Sequence, residues 1–204
     1  MFITLDGGDG CGKTTQLHKL ADYLQTQEYQ TVICRDPGST SLGDAVRNIL
    51  LNRKELQIAD LTETFLFTAA RCQLLTEVVR PALQEKKIVL SDRFVLSTLV
   101  YQGYAGGVPL ETLKEIVNIS VGATLPDIGF VLDIPYEIAV QRIGKRAEPD
   151  RMEGKGEEYH RKVREGFLKL ASQEPSRYKI IDASQTPDEV EQAIRLELIN
   201  RLRG

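Results

Sequence analysis

Phe2-Ile3-Thr4-Leu5-Asp6-Gly7-Gly8-Asp9-Gly10-Cys11-Gly12-Lys13-Thr14-Thr15 joins a strand-like run to a glycine-rich turn, and Leu17, Leu20, Ala21 and Leu24 follow at helical spacing. Strand, turn of the form G-x-x-x-x-G-K-[ST], then helix is the order a phosphate-binding loop requires. The glycines let backbone N–H groups point inward around a phosphate, at the positive end of the next helix. In such a loop Lys13 reaches the β- and γ-phosphates of a nucleoside triphosphate, and Thr14 offers its hydroxyl to Mg²⁺. The predicted donor-binding set is therefore Gly7, Gly8, Asp9, Gly10, Cys11, Gly12, Lys13, Thr14 and Thr15.

Outward from this loop, runs of branched residues recur at Phe2 to Asp6, Thr31 to Asp36, Ile88 to Asp92, Ile128 to Asp133 and Tyr178 to Asp182, and each ends in aspartate. Amphipathic stretches separate them. Alternating strands and helices predict an α/β fold, a parallel sheet covered on both faces, with ligands gathered at the carboxyl ends of the strands. The aspartates then stand on the functional edge, although Asp182, ahead of Ala183-Ser184-Gln185-Thr186-Pro187, also suits the start of a turn. Helices are predicted from Leu61 to Leu83, from Pro109 to about Val121, from Pro135 through Ile143, and from about Pro187 with Val190, Ile194, Leu198 and Leu202 on one side. Gly144 to Gly156 is rich in charge and poor in apolar residues, which predicts a mobile surface segment. Arg142 and Arg146 share a helix face just before and within it, and Arg151 follows. Beside a phosphate loop, a segment over about 142–156 reads as a lid that brings arginines over phosphates.

At 204 residues the chain is long enough for a substantial core, and one domain over 1–204 is the economical reading. With 26 basic and 29 acidic residues, net −3, its charge does not suit binding along a nucleic-acid duplex. A mononucleotide needs only a local cluster of cations. No apolar run approaches a membrane span, no secretory signal pattern is seen, and the odd count of 3 cysteines suits a reducing compartment. A cytoplasmic protein is the expectation. His18 and His160 are isolated histidines in polar surroundings and suggest no metal site.

A phosphate loop alone predicts a nucleoside triphosphate and nothing about the acceptor. More specific are Arg35-Asp36-Pro37-Gly38, then Arg47, then Phe67-Thr68-Ala69-Ala70-Arg71, then Asp92-Arg93 followed by Ser97-Thr98 and Tyr101-Gln102-Gly103, and finally Asp150-Arg151-Met152-Glu153. Phe67 and Arg71, four apart, present a flat ring and a planar guanidinium on one side of a helix. In this order and spacing the chain closely resembles the bacterial thymidylate kinases, nearly end to end. The resemblance implies a P-loop nucleoside monophosphate kinase fold with a five-stranded parallel sheet, a homodimer, and transfer of phosphate from ATP to dTMP.

Carried onto the matching positions, the resemblance implies that Phe67 stacks on thymine while Arg71 hydrogen-bonds its edge. Arg47 and Arg93 would hold the 5′-phosphate, Asp9 the sugar 3′-hydroxyl, and Tyr101 would pack against the 2′ carbon and exclude a ribose hydroxyl. Asp36, Pro37, Ser97, Thr98 and Gln102 complete the expected pocket, with Thr14 and Asp92 on the metal side. Lys13 and the arginines Arg142, Arg146 and Arg151 are expected to neutralise charge on the transferring group. This chain has Gly10 where some relatives carry an arginine, and Asp6 and Asp36 where glutamate is common. Two other readings stay open: a nucleoside kinase, which would not need Arg47, and a GTP-dependent switch, for which the expected Asn-Lys-x-Asp segment is absent.

Overall fold

A computed structural model describes residues 1–144 and 151–202. Its elements run β1 (Phe2–Asp6), α1 (Lys13–Thr26), β2 (Thr31–Arg35), α2 (Ser41–Asn52), α3 (Asp60–Leu74), a π-helical turn (Leu75–Val79), α4 (Arg80–Gln84), β3 (Ile88–Asp92), α5 (Val95–Thr98), a second π-helical turn (Leu99–Tyr104), α6 (Leu110–Val121), β4 (Ile128–Asp133), α7 (Tyr136–Ile143), a 3₁₀ turn (Glu153–Lys155), α8 (Glu157–Gln173), β5 (Tyr178–Asp182) and α9 (Pro187–Leu202). The strands form a five-stranded sheet in the order β2-β3-β1-β4-β5. Every neighbouring pair is parallel.

Strand alternation divides the core between the two faces of the sheet. Ile3, Leu5, Leu90, Ile128, Phe130 and Leu132 face Leu17, Leu20 and Leu24 of α1 and Val190, Ile194 and Leu198 of α9. Phe2, Cys34 and Val89 face the other way, onto Leu74, Val79, Phe94 and Val121. Val131 meets Val163 and Phe167 of α8. Because both faces are covered, the strands read as continuous apolar runs.

Parallel register carries the strand-end aspartates to one edge. Leu5 pairs with Asp92, Arg35 with Asp92 and Asp133 with Asp182, so the side chains that end the strands share one rim. The rim is built with different fastenings. Asp133 holds Arg164 of α8 through two bonds of 2.7 and 2.9 Å, and Asp182 closes a turn by accepting from the Ser184 amide at 2.9 Å. Thr186 and Glu189 cap α9 reciprocally, Thr186 N–H to Glu189 at 2.9 Å and Glu189 N–H back to the Thr186 hydroxyl at 3.4 Å. Helix α8 is the element the sequence reading did not place.

Candidate active site

β1 delivers the chain into the phosphate loop, and α1 begins at Lys13 straight after it. Gly7 has φ 139°, and a Cβ there would stand 2.6 Å from the Leu132 carbonyl oxygen, so only glycine lets the loop pass β4. At Gly10, φ is 76° and a Cβ would meet the Ala139 oxygen and Ile143 at 2.9 Å. In this chain an arginine at that position would collide with α7. Lys13 is buried and lies back along the loop, its Nζ donating to the carbonyls of Gly8 at 2.9 Å and Gly7 at 3.3 Å. These carbonyls hold the amine where anionic oxygens would compete for it.

The loop borders a cleft of about 580 Å³ lined by Asp9 through Gln16, together with Arg35, Arg47, Asp92, Arg93, Arg142, Ala183, Gln185 and Pro187. Arg142, in the last turn of α7, donates to the carbonyls of Ala183 at 3.0 Å and Ser184 at 3.4 Å. The turn after β5, which the sequence suggested only as a turn, is therefore a wall of this cleft. Arg146 lies outside the described residues, as does the middle of the expected 142–156 lid.

On the metal side, the Thr14 hydroxyl donates to Asp92 Oδ2 at 3.2 Å, and Asp92 Oδ1 is buried with no partner among the described residues. A hydroxyl and an unsatisfied carboxylate oxygen fit Mg²⁺, which takes one or two protein oxygens and fills the rest of its octahedron with phosphates and water. No group of three or more His, Cys, Asp or Glu among the described residues could hold an ion unaided. Asp6 does something else: buried to 1 % exposure, it accepts from the Ser97 hydroxyl at 2.6 Å and the Phe94 amide at 3.4 Å, fixing the turn after β3. Burial pushes its carboxyl above the ordinary value, against the pull of Ser97 and Arg93.

A second, tighter space of about 70 Å³ opens from the same rim. Its lining comprises Asp9, Asp36, Pro37, Arg47, Phe67, Arg71, Arg93, Ser97, Thr98, Tyr101 and Gln102, together with Leu51 and Met152. All the residues expected of an acceptor pocket are thus brought together, from the phosphate loop, α2, α3, the loop after β2, and the β3–α5 turn with its π-helical continuation. Arg71 is 2 % exposed; its Nε donates to Asp36 at 2.5 Å, Nη2 to the Thr98 hydroxyl at 2.6 Å, and the guanidinium lies 5.4 Å over the Phe94 ring. Nη1 has no partner among the described residues.

Asp9, Arg47 and Arg93 line both spaces and mark where they meet. Arg93 adopts φ 68°, a conformation rare for a residue with a side chain and typical of sites where geometry is over-determined. From there it donates to the Gly7 carbonyl at 2.8 Å and to Asp9 at 2.6 Å, with its guanidinium 4.9 Å over the Tyr101 ring. Burial works to raise the Asp9 carboxyl, but the positive charges of Arg93 and Lys13 outweigh it and hold the group below the ordinary 3.8. An acid held low in the folded state adds stability that is complete above its unfolded value and disappears as pH falls through the folded one. The difference in thermal midpoint between wild type and Asp9→Asn should be constant from about pH 5 to 7 and shrink below pH 3.8. A difference undiminished at about pH 2 would contradict this ion-pair account.

Arg151, expected from the sequence to neutralise charge on the transferring group, is tied to the end of α2 and to α3. It does not line the phosphate cleft; its Nε donates to the Leu50 carbonyl at 2.7 Å and its Nη2 to the Glu63 carboxylate. Glu63 was absent from the sequence reading. Its signal was position: Glu63, Phe67 and Arg71 fall at i, i+4 and i+8 of α3, on the face that turns toward the slot.

A phosphate loop at the carboxyl edge of a parallel sheet, opening onto a separate slot with guanidinium groups at the junction, defines a P-loop kinase of the nucleoside monophosphate type. Residues 5–194 match the family described as thymidylate kinase. The thymidylate kinase of Symbiobacterium thermophilum is 44% identical over 196 residues, covering 96% of this chain and 91% of that protein. That of Thermoanaerobacter sp. is 46% identical over 184 residues, 90% of each chain. The crystal structure of thymidylate kinase from Ehrlichia chaffeensis superposes with a TM-score of 0.78 at 33% identity, covering 97% of this chain and 98% of the other. The chain belongs to the thymidylate kinase family.

Proposed function

We propose that this protein transfers the γ-phosphate of ATP to dTMP, yielding dTDP and ADP, in the cytoplasm and as a step toward dTTP. The observation that carries the reading is the junction: the phosphate cleft and the acceptor slot share Asp9, Arg47 and Arg93. Two guanidiniums at that point suit an acceptor that already bears a phosphate, which a nucleoside would not use. Transfer between two bound phosphates asks for alignment and charge neutralisation more than covalent help. Lys13 and Arg142 supply charge on the donor side, and Arg47 and Arg93 orient the acceptor phosphate. Mg²⁺, held through Thr14 and Asp92, would neutralise donor charge. The acceptor oxygen is already ionised at neutral pH, so no protein base is needed.

In the slot, Phe67 offers a ring face, and Nη1 of Arg71, without a partner among the described residues, offers a donor for a base carbonyl. Tyr101, buried with its hydroxyl 3.5 Å from Asp9, leaves little room beside a sugar 2′ carbon. Stacking of a base on an aromatic ring is worth about 1–3 kcal/mol, so Phe67→Ala should raise the dTMP KM roughly 5- to 150-fold while leaving the ATP KM unchanged. An unchanged dTMP KM would remove the stacking role. Calorimetric titration with dTMP, thymidine and UMP tests the reading of the slot directly, with dTMP binding tightest.

We further propose one kinase domain that pairs as a homodimer. Leu61, Phe65, Ala69 and Cys72 lie exposed along one stripe of α3, and Ile119 of the adjoining α6 is 84% exposed. An apolar stripe of this kind favours a self-complementary interface. Phe65→Glu should convert a dimer to a monomer in light scattering; wild-type protein that is monomeric at micromolar concentration would refute the pairing. The free thiols of Cys11, Cys34 and Cys72 suit a reducing compartment, and no described helix is long and apolar enough to cross a membrane.

A further inference from the structure

Glu63 is a buried carboxylate, 3% exposed, that no step of the proposed reaction uses. Its two oxygens are divided between two partners from distant parts of the chain. Oε1 accepts from Gln102 Nε2 at 2.9 Å, and Oε2 accepts from Arg151 Nη2. Gln102 lies in the π-helical turn and lines the acceptor slot. Arg151 is tied a second and third time to the end of α2, through its Nε to the Leu50 carbonyl at 2.7 Å and its backbone N–H to the Leu51 carbonyl at 3.1 Å. The next residue, Met152, is 5% exposed and forms part of the slot wall. Leu51 forms another part. A second strap, the Tyr159 hydroxyl donating to the Tyr101 carbonyl at 3.1 Å, joins the start of α8 to the same π-helical turn.

We propose that Glu63 is a positioning residue for the acceptor: through Arg151 and Gln102 it sets the separation between the Met152 wall and the π-helical turn that carries Tyr101, and so fixes how tightly the slot closes on its nucleotide. The inference rests on the reading of that slot as the acceptor site. It assigns Arg151 to acceptor binding and not to charge on the transferring group. A planar guanidinium that satisfies a carbonyl and a carboxylate at once, on a residue whose backbone N–H is bonded as well, is fixed in orientation, and a carboxylate with one oxygen on each of two segments holds them at a set spacing. Burial makes the arrangement all-or-none, because removal of either partner leaves a polar group unsatisfied.

The test compares wild type with Glu63→Gln, Arg151→Met, Arg151→Lys and the double variant Glu63→Gln/Arg151→Met. Steady-state kinetics with dTMP and ATP are paired with hydrogen exchange of the peptide spanning residues 151–160 in the absence of substrate. Glu63→Gln and Arg151→Met should each raise the dTMP KM about tenfold, with kcat within threefold and the ATP KM within twofold. The double variant should be no worse than the poorer single one, and Arg151→Lys, which keeps the charge, should recover part of the loss. Exchange in 151–160 should quicken in both single variants. A hundredfold fall in kcat at unchanged dTMP KM would overturn the proposal, since Arg151 would then act on the transferring phosphoryl group. Effects that multiply in the double variant, or wild-type exchange in both single variants, would overturn it too. If Glu63→Gln does not fold, Arg151→Met, altering a side chain that keeps 17% of its surface in solvent, answers the same questions. Exchange needs no turnover, so wild-type protein inert toward dTMP would refute the reaction while still reporting on the strut.

Discussion

Lys13→Ala is expected to lower kcat by about 10³-fold, close to 4 kcal/mol of transition-state stabilisation, while dTMP affinity stays within twofold. The split follows from where the side chain lies. Lys13 lines the phosphate cleft and not the acceptor slot, so its removal subtracts positive charge from the donor side alone. Among the described residues its hydrogen bonds go only to the carbonyls of Gly7 and Gly8 and the Cys11 sulfur, which makes the amine more a parked charge than a fold-holding tie. The thermal midpoint should move little. Rapid-quench measurement of the first turnover separates the effect on chemistry from any on product release, and a Lys13→Ala enzyme within tenfold of wild type would show that the loop does not serve the transferring phosphate.

Arg71→Ala should act on stability and binding together. The guanidinium is the partner of the buried Asp36 carboxylate at 2.5 Å, with side-chain exposures of 2% and 0%. Removing one member of a buried pair leaves an uncompensated charge and costs about 3–5 kcal/mol. For a chain of this size that is a fall in thermal midpoint of roughly 6–20 °C. Arg71→Met combined with Asp36→Asn removes both charges at similar volume, and most of the stability should return. Affinity for dTMP should not return, because the donor for the base edge is still missing. A double variant that binds dTMP like wild type would show Arg71 to be structural alone.

The strands were legible because a sheet buried on both faces leaves no polar alternation to blur the runs, and each run closes on an acid or stops just before one. The second strand ends at Arg35, one residue short of its aspartate. Helix α8 was harder to see: it opens on Glu157-Glu158-Tyr159-His160-Arg161-Lys162, and its buried positions Val163, Gly166, Phe167, Leu170 and Ala171 all come after that charged opening. The slot was legible from motifs whose spacing only makes sense when separate elements converge. Glu63 was not, since a single glutamate among the acids of a helix's first turn reads as a surface charge favoured by the helix dipole. Its role comes from what the chain brings back to it 88 residues later. The bonds of Arg151 were hidden for the matching reason: charge alone points to phosphates, whereas its contacts with the Leu50 and Leu51 carbonyls and the buried Glu63 carboxylate depend on tertiary structure.

The central claim is that donor and acceptor phosphates meet over Asp9, Arg47 and Arg93. An ADP-release assay with Mg²⁺ and ATP, run in parallel with dTMP, thymidine, dUMP, dCMP and AMP, tests it most directly. Rapid ADP formation with dTMP and formation of dTDP, with thymidine giving only background, is the predicted result. ATP hydrolysis indifferent to dTMP, or phosphorylation of thymidine in preference to dTMP, would contradict it.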